Sequence, residues 1–593
     1  MNMNWDLNKL YTSLDSKEYK KDKEELKGLI HEENSLMSDF KEEDIKEYLK
    51  IEEKLNILAI KMFNYSSLKT SVDVNDRESL KELQELQMLF QETIPANVKF
   101  KRFLMDKDID ALIKKDAFLE EYKYLLEKTK EQASHMLSEK EEILYSKLSM
   151  VASSSWSDLQ SNLTSNLSIK VKGFKDKMPL SMVRNLAYDS NKDVRYNAYK
   201  AELKAYKAIE ESVAMGLNNI KREANIMASL RGYDSILDMA LVHNHMKRET
   251  LDAMIDAIKE ELPKFREYFK AKAEALGYKN GLPFYELFAP MGKLTKTYTY
   301  QEAEREVLDV YKSFSPRLYE MGYKAFHEGW IDVLPREGKV GGAFCSGITP
   351  IGESRVLTNF TGAMSDIQTL AHELGHAYHN EVLKDSLPLN QDYPMQLAET
   401  ASILCQTLMS KKLIDEVKDK EEKLTVVENS LQEEFSVVEN SLQEDTQCVV
   451  DILSRYLFEN MVCDTEIAKP LGAKDMNQFM LKAQEESYGD GLDKKYLHPY
   501  MWLCKSHYYS ASNGFYNWPY AFGLLYAKGL YAKYMENKEE FVKKYDEMLK
   551  NTCIMDAEDV ALTMDIDITK KEFWISSLKT IEEDIDLFKE LLK

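Results

Sequence analysis

The sequence predicts a mainly α-helical protein with one small β element, on three observations. It holds only 22 Gly and 13 Pro among 593 residues, while 30% of the chain is charged, a composition rich in helix formers. Apolar residues recur at helical spacing through stretches such as Asp44 to Met62 and Arg77 to Phe90. One internal stretch, Lys339 to Gly362, changes texture to Gly, β-branched and aromatic residues.

Taken in order, residues 1 to about 150 read as long amphipathic helices packed on one another. Around Ser153 to Asp176 Ser-rich segments precede Ser168-Ile169-Lys170-Val171-Lys172-Gly173, whose alternation predicts a short strand or hairpin at a hinge. We therefore divide the chain into an N-terminal helical lobe, 1–179, and a catalytic region, 180–593. Helical periodicity resumes at Leu180 and runs to about Lys272, punctuated by Gly232-Tyr233 and Pro263. Lys339 to Gly362 predicts two or more short strands leading into the helix that follows. Such an edge strand can pair with an extended peptide or simply cover that helix, and Asn359 and Phe360 at its end are candidate substrate contacts. Further on, Val426-Val427-Glu428-Asn429-Ser430-Leu431-Gln432-Glu433 recurs 11 residues later at Val437 to Glu444. Eleven residues are close to three helical turns, so the copy keeps its apolar stripe in phase, and one continuous helix is expected over Glu422 to Asp451.

Charge and composition exclude several functions. A net charge of −22 and a pI near 5.1 oppose binding to nucleic acid or anionic lipid. The uncharged run Ser506 to Ala527 is too polar and too broken to span a membrane. Six scattered cysteines lack metal-type pairing and read as reduced thiols. The first residues show no basic region followed by an apolar core. Together these predict a cytoplasmic protein; oligomeric state is not legible.

The chemistry is concentrated in Leu370-Ala371-His372-Glu373-Leu374-Gly375-His376. His-Glu-x-x-His on a helix sets two imidazoles one turn apart on one face, where both can bind one zinc ion, with a glutamate beside them to handle a proton. A catalytic zinc site needs a third protein ligand. The metzincin pattern is excluded, since positions 379 and 382 hold His and Val. The candidate is Glu399 in Leu397-Ala398-Glu399-Thr400-Ala401-Ser402, whose small neighbours permit a close approach of helices. Glu381 points off the ligand face. The later aromatic run offers His507, Tyr509, Tyr516 and Tyr520 as hydrogen-bond donors.

These motifs, with Phe515-Tyr516-Asn517-Trp518-Pro519-Tyr520-Ala521 and the opening Trp5-Asp6-Leu7, resemble the thimet oligopeptidase and oligoendopeptidase F family of zinc peptidases over nearly the whole chain. The resemblance implies a two-lobed helical molecule with a small β-sheet beside the zinc helix and a deep channel admitting short peptides. It implies an endopeptidase with one Zn²⁺ per chain held by His372, His376 and Glu399, Glu373 as general base, and His507 and Tyr516 as catalytic donors. Tyr509 and Tyr520 join the substrate contacts. Trp518 stands where many relatives carry a tyrosine, which leaves open the tyrosine that stabilises the oxyanion. Gln406, seven residues after Glu399, replaces a frequent glutamate and returns to the same helical face, a position suited to orienting a ligand. His379 is too far along the helix to share the zinc and is expected to be structural or to face the substrate.

Overall fold

A computed structural model describes residues 3–291, 297–421, 438–465 and 469–593. It is mainly helical, with a two-stranded and a three-stranded sheet, and its contacts divide it into two compact units. One comprises Met1–Met136, Lys296–Lys412 and Lys533–Ile566, the other Leu137–Thr295, Leu413–Ala532 and Asp567–Lys593. A linear division at residue 179 coincides with neither unit. Residues from Leu137 belong with the second unit, where helix Ser153–Ser165 packs along Glu210–Leu230, and the chain returns to the first unit after residue 295.

The first unit is organised around the three-stranded sheet. Ile331–Asp332 pairs in parallel with the end of Glu353–Leu357, which pairs antiparallel with Phe344–Ile348, so Phe344–Ile348 forms an edge. The expected strands within Lys339 to Gly362 are therefore present. Helices Lys17–Leu36 and Ile45–Val72 bury Leu26, Leu55 and Met62 in one cluster with Ile348 and Leu357, tying the amino-terminal helices to the sheet. Helix Met364–Leu383 packs on the two longer strands. Its first turn is capped by Asp366, whose Oδ2 accepts from the backbone N–H groups of Thr361, Gly362 and Ala363 at 2.7, 2.9 and 3.0 Å.

In the second unit helix Arg248–Ala275 packs along Lys571–Leu591, and Ile452–Cys463 along Ala473–Tyr488. Pro263 does not interrupt the first of these, which runs through it unbroken; Leu262, Phe265 and Phe269 are buried on either side, and that packing outweighs the lost backbone bond. Ser168–Ile169 does form a strand, paired with Met178–Pro179. The Ser-rich segment before it is a helix rather than a break, because Ser153 and Gln160 turn inward and bond to Glu223 and the Leu503 carbonyl. Part of the expected helix over Glu422 to Asp451, residues 422–437, lies outside the described residues. From 438 to 446 the chain is α-helical, and Gln447–Asp451 is a π-turn. Among the described residues no helix is long and apolar enough to cross a membrane. Among the described residues none of the six cysteines forms a disulfide.

Candidate metal centre and active site

His372 and His376 lie one turn apart on helix Met364–Leu383, with their ring centroids 5.0 Å apart. Glu399 comes from the junction between a short helix, Met395–Ala398, and the longer helix that starts at Thr400. It is thus not within a helix but at a break, and Ser402 holds it there: the Ser402 hydroxyl donates to Glu399 Oε2 at 2.6 Å. The two segments can meet because position 375 is glycine. A Cβ there would lie 2.6 Å from Ser402 Cα and 2.7 Å from the Ala401 carbonyl oxygen. Of the small residues expected to permit a close approach, Ala401 and Ser402 meet the metal helix at Gly375.

Glu399 Oε2 lies 3.2 Å from His372 Nε2 and 3.4 Å from His376 Nε2. Gln406 Oε1 is 2.8 Å from His372 Nδ1. With that nitrogen donating, Nε2 turns its lone pair toward Glu399. Three electron pairs then converge from ligand atoms all within 4.8 Å of one another, an arrangement that requires a cation or protons between them. Burial disfavours charge on both partners, yet proximity wins: Glu399 is held well below the usual carboxylate range by the two imidazoles, and His372 is raised by Glu399. Two imidazoles and one carboxylate in this arrangement fit a catalytic zinc site.

Glu373 is buried beside this centre. Burial pushes its carboxyl above its ordinary value, against the pull of His372 and His376. His379 is fully buried: its Nε2 lies 2.9 Å from Thr552 Oγ1 and 3.2 Å from the Leu549 carbonyl, and its ring stacks on Tyr393 at 4.2 Å. Burial lowers its pKa to about 3, so it is a neutral framework residue. Asn359 donates its amide to the carbonyl oxygens of Val340 and Gly342, at 3.0 and 2.8 Å. Phe360 is buried against Tyr300, a core position instead of the expected substrate contact.

The second unit brings His507, Tyr516 and Tyr520 together, their ring centroids 5.4 to 6.0 Å apart. The loop that carries them is anchored on buried Glu459, which accepts from Lys221 Nζ at 2.6 Å, Phe515 N at 2.9 Å and Asn517 Nδ2 at 3.3 Å. Phe515 adopts φ 56°, a strained conformation for a residue with a side chain. Burial, with Arg455 and Lys505, lowers the His507 pKa. Tyr509 does not join this group; it is buried and donates to the Trp502 carbonyl at 3.2 Å. Trp518 is buried as well.

A family model described as Peptidase family M3 matches residues 185–580. The chain belongs to peptidase family M3. A second model, described as Oligopeptidase F, matches residues 104–168 of this M3 peptidase. It is 24% identical over 548 residues to an oligoendopeptidase F homolog of Lactococcus lactis, covering 90% of this chain and 88% of that one. It is also 24% identical to oligopeptidase PepF of Bacillus subtilis, covering 83% and 71%. The fold is that of oligoendopeptidase-F from Enterococcus faecium, with a TM-score of 0.71 at 17% identity over 97% and 98% of the two chains. A solved chain from Chlamydophila abortus superposes with a TM-score of 0.82 at 21% identity over 99% and 98%. M3 is a metallopeptidase family, and among the described residues of this M3 peptidase His372, His376 and Glu399 form a group of side chains that could hold a metal ion.

The role of Ser402 was not legible from the sequence, where it counted only as a small residue. Its spacing of three after Glu399 at a helix start is the signal that could have revealed it. The anchoring of the His507 loop on Glu459 left no local signal, because the two are 48 residues apart.

Proposed function

We propose that this M3 peptidase is a cytoplasmic zinc endopeptidase that hydrolyses internal bonds of short peptides. The observation that carries the reading is the convergence of His372 Nε2, His376 Nε2 and Glu399 Oε2 with the buried Glu373 carboxyl beside them. Held by those three residues, zinc would supply Lewis acidity toward the scissile carbonyl and lower the pKa of water.

In this reading the protein's own groups do the rest. Glu373 takes a proton from the attacking water and passes it to the leaving amine. Gln406 fixes the ring of His372 through Nδ1, so its Nε2 stays aimed at the centre. His507 and Tyr516 donate to the oxyanion that forms as the carbonyl becomes tetrahedral, while Tyr520 and Asn359 contact the peptide. The substrate channel expected for the family would admit unfolded peptides and exclude folded proteins, a property supported by the oligoendopeptidase names of the relatives.

Chelation should abolish hydrolysis of a quenched peptide, and zinc should restore it. Glu373→Gln should keep the metal yet lose turnover by about 10²–10⁴-fold, since it removes the base and leaves the ligands. Near-normal turnover with full metal occupancy would overturn the mechanism.

A further inference from the structure

The second unit contains a cavity of about 310 Å³ whose wall is short of negative charge. Its acidic residues are engaged. Glu202 accepts from the Tyr206 hydroxyl at 2.7 Å, and Asp451 is held by Arg455. Arg195 is consumed by buried Glu286 and the Asp189 carbonyl. Two cations keep spare capacity. Arg184 faces the Cys504 side chain and reaches its nearest carboxylate, Glu202, only at 3.8 Å, longer than a hydrogen bond. Lys505, on the cavity wall, makes no side-chain hydrogen bond or ion pair among the described residues. Burial and the nearby Arg455 guanidinium push its ammonium below its ordinary pKa, against the weaker pull of Asp451.

A third group points to the same vacancy of partners. His498 is 1% exposed, and neither of its ring nitrogens has a hydrogen-bond partner; the nearest carboxylate oxygen, on Glu202, is 3.6 Å from Nε2. Buried polar atoms are rarely left so unless something else supplies the bond. Aromatic rings line the same cavity, among them Tyr188 and Phe288, whose centroids lie 4.8 Å apart at a tilt of 37°, with Tyr188 58% exposed. The π-turn Gln447–Asp451 also opens onto the cavity, a distortion that is common at functional positions.

An unpaired ammonium, an under-used guanidinium and an apolar wall select a carboxylate carried on an apolar or aromatic body. The volume suits one amino-acid residue better than a longer segment. Lys505 lies two residues before His507, and both Lys505 and Arg455 act electrostatically on the His507 ring. We infer that this cavity receives the carboxy-terminal residue of a peptide, with Lys505 and Arg184 pairing with its terminal carboxylate and the aromatic wall covering its side chain. The inference rests on the peptidase reading for the source of the ligand, but its test does not need turnover.

The test is titration calorimetry on the full chain with an acetylated tetrapeptide ending in phenylalanine, as the free acid and as the amide. The acid should bind at least about tenfold more tightly than the amide, because only it brings a charge to the ammonium and guanidinium. Lys505→Met should remove most of the acid's advantage, leaving the part that Arg184 supplies, and leave the amide unchanged. Equal binding of acid and amide by the unaltered protein would overturn the inference, as would a preference left undiminished in Lys505→Met. N-acetylphenylalanine binding as tightly as the tetrapeptide would assign the cavity to a free carboxylate and overturn the assignment to a peptide end. Loss of hydrolysis with the acid preference intact would instead count against the peptidase mechanism alone.

Discussion

Gly375→Ala adds a single methyl group at the point where the metal helix meets the segment that carries Glu399. In an ordinary helix interior this change stabilises by about 1 kcal/mol. Here the new Cβ would stand 2.6 Å from Ser402 Cα, and ordinary contact begins at 3.4 Å, so the backbone must withdraw by roughly 0.8 Å. The obstacle is backbone, which cannot rotate aside. Overpacking of this kind costs about 1–3 kcal/mol, enough to cancel or exceed the helical gain. The larger effect falls on the metal. Ligand positions tolerate only about 0.2 Å, several times less than the retreat that Ser402 would impose on the Glu399 it holds. We expect zinc affinity to fall by about 10–100-fold, the scale seen when groups that orient ligands are disturbed. Competition against a fluorescent zinc chelator would measure it. Gly341→Ala serves as the control, because a Cβ there meets nothing within 4 Å. Zinc affinity within twofold of the original, together with a higher melting temperature, would refute the argument.

Glu399→Ala should cost most of the bound zinc, whereas Glu381→Ala should retain it, because the Glu381 carboxylate accepts from Lys384 Nζ at 2.6 Å, outside the convergent cluster; equal metal content in the two variants would remove Glu399 from the site. Glu33 is fully buried beside Glu52, and burial pushes its carboxyl up to about 9. A carboxyl raised in the fold stabilises it below the unfolded value of 4.5, and that stability is lost as pH rises from there toward 9. Glu33→Gln should therefore melt near the original temperature at pH 5 and increasingly above it toward pH 8, by at most about 1.4 kcal/mol per pH unit; a gap that narrows with rising pH would contradict this.

The metal motif was fully legible, since a spacing of four on a helix dictates one face. Glu399 was legible as a residue through Ala398, Ala401 and Ser402, but the helix break beneath it was not, because Met395 to Ile403 contains neither Gly nor Pro. The strands between Phe344 and Leu357 were announced by their Gly and β-branched residues. Their third partner, Ile331–Asp332, is too short for any alternation to show. Pro263 misled in the other direction, since burial of the flanking residues overrode local propensity. The two units were not legible at all. Each is assembled from three segments far apart in the chain, and contacts of that range leave no periodicity in a local window. For the same reason Phe360 and Tyr509 passed for substrate contacts: their burial is decided by Tyr300 and Trp502, not by their own neighbours.

The internal repeat shows how a duplication can be nearly neutral in pattern and still become committed. The described part of the second copy is structural: Val438 and Leu442 are fully buried, and Glu439 accepts from buried Lys272 at 2.7 Å. Deleting Val437 to Gln447 would slide the first copy into register, so Val427, Glu428 and Leu431 would succeed Val438, Glu439 and Leu442 without change of residue type. Three positions beyond the repeated core do change. Asp445, paired with Lys528 at 3.1 Å, would become Glu434; buried Thr446, which donates to the Leu442 carbonyl at 2.7 Å, would become Phe435; and Gln447 would become Ser436. Helix phase alone predicts a silent deletion, but a phenylalanine in place of a buried threonine predicts a loss of about 1–3 kcal/mol. The deletion should therefore lower the melting temperature, and adding Phe435→Thr should recover most of the loss. A deletion variant as stable as the parent would show that phase governs this segment and that the Thr446 site yields, while a loss that Phe435→Thr cannot recover would place the cost in the shortened chain itself.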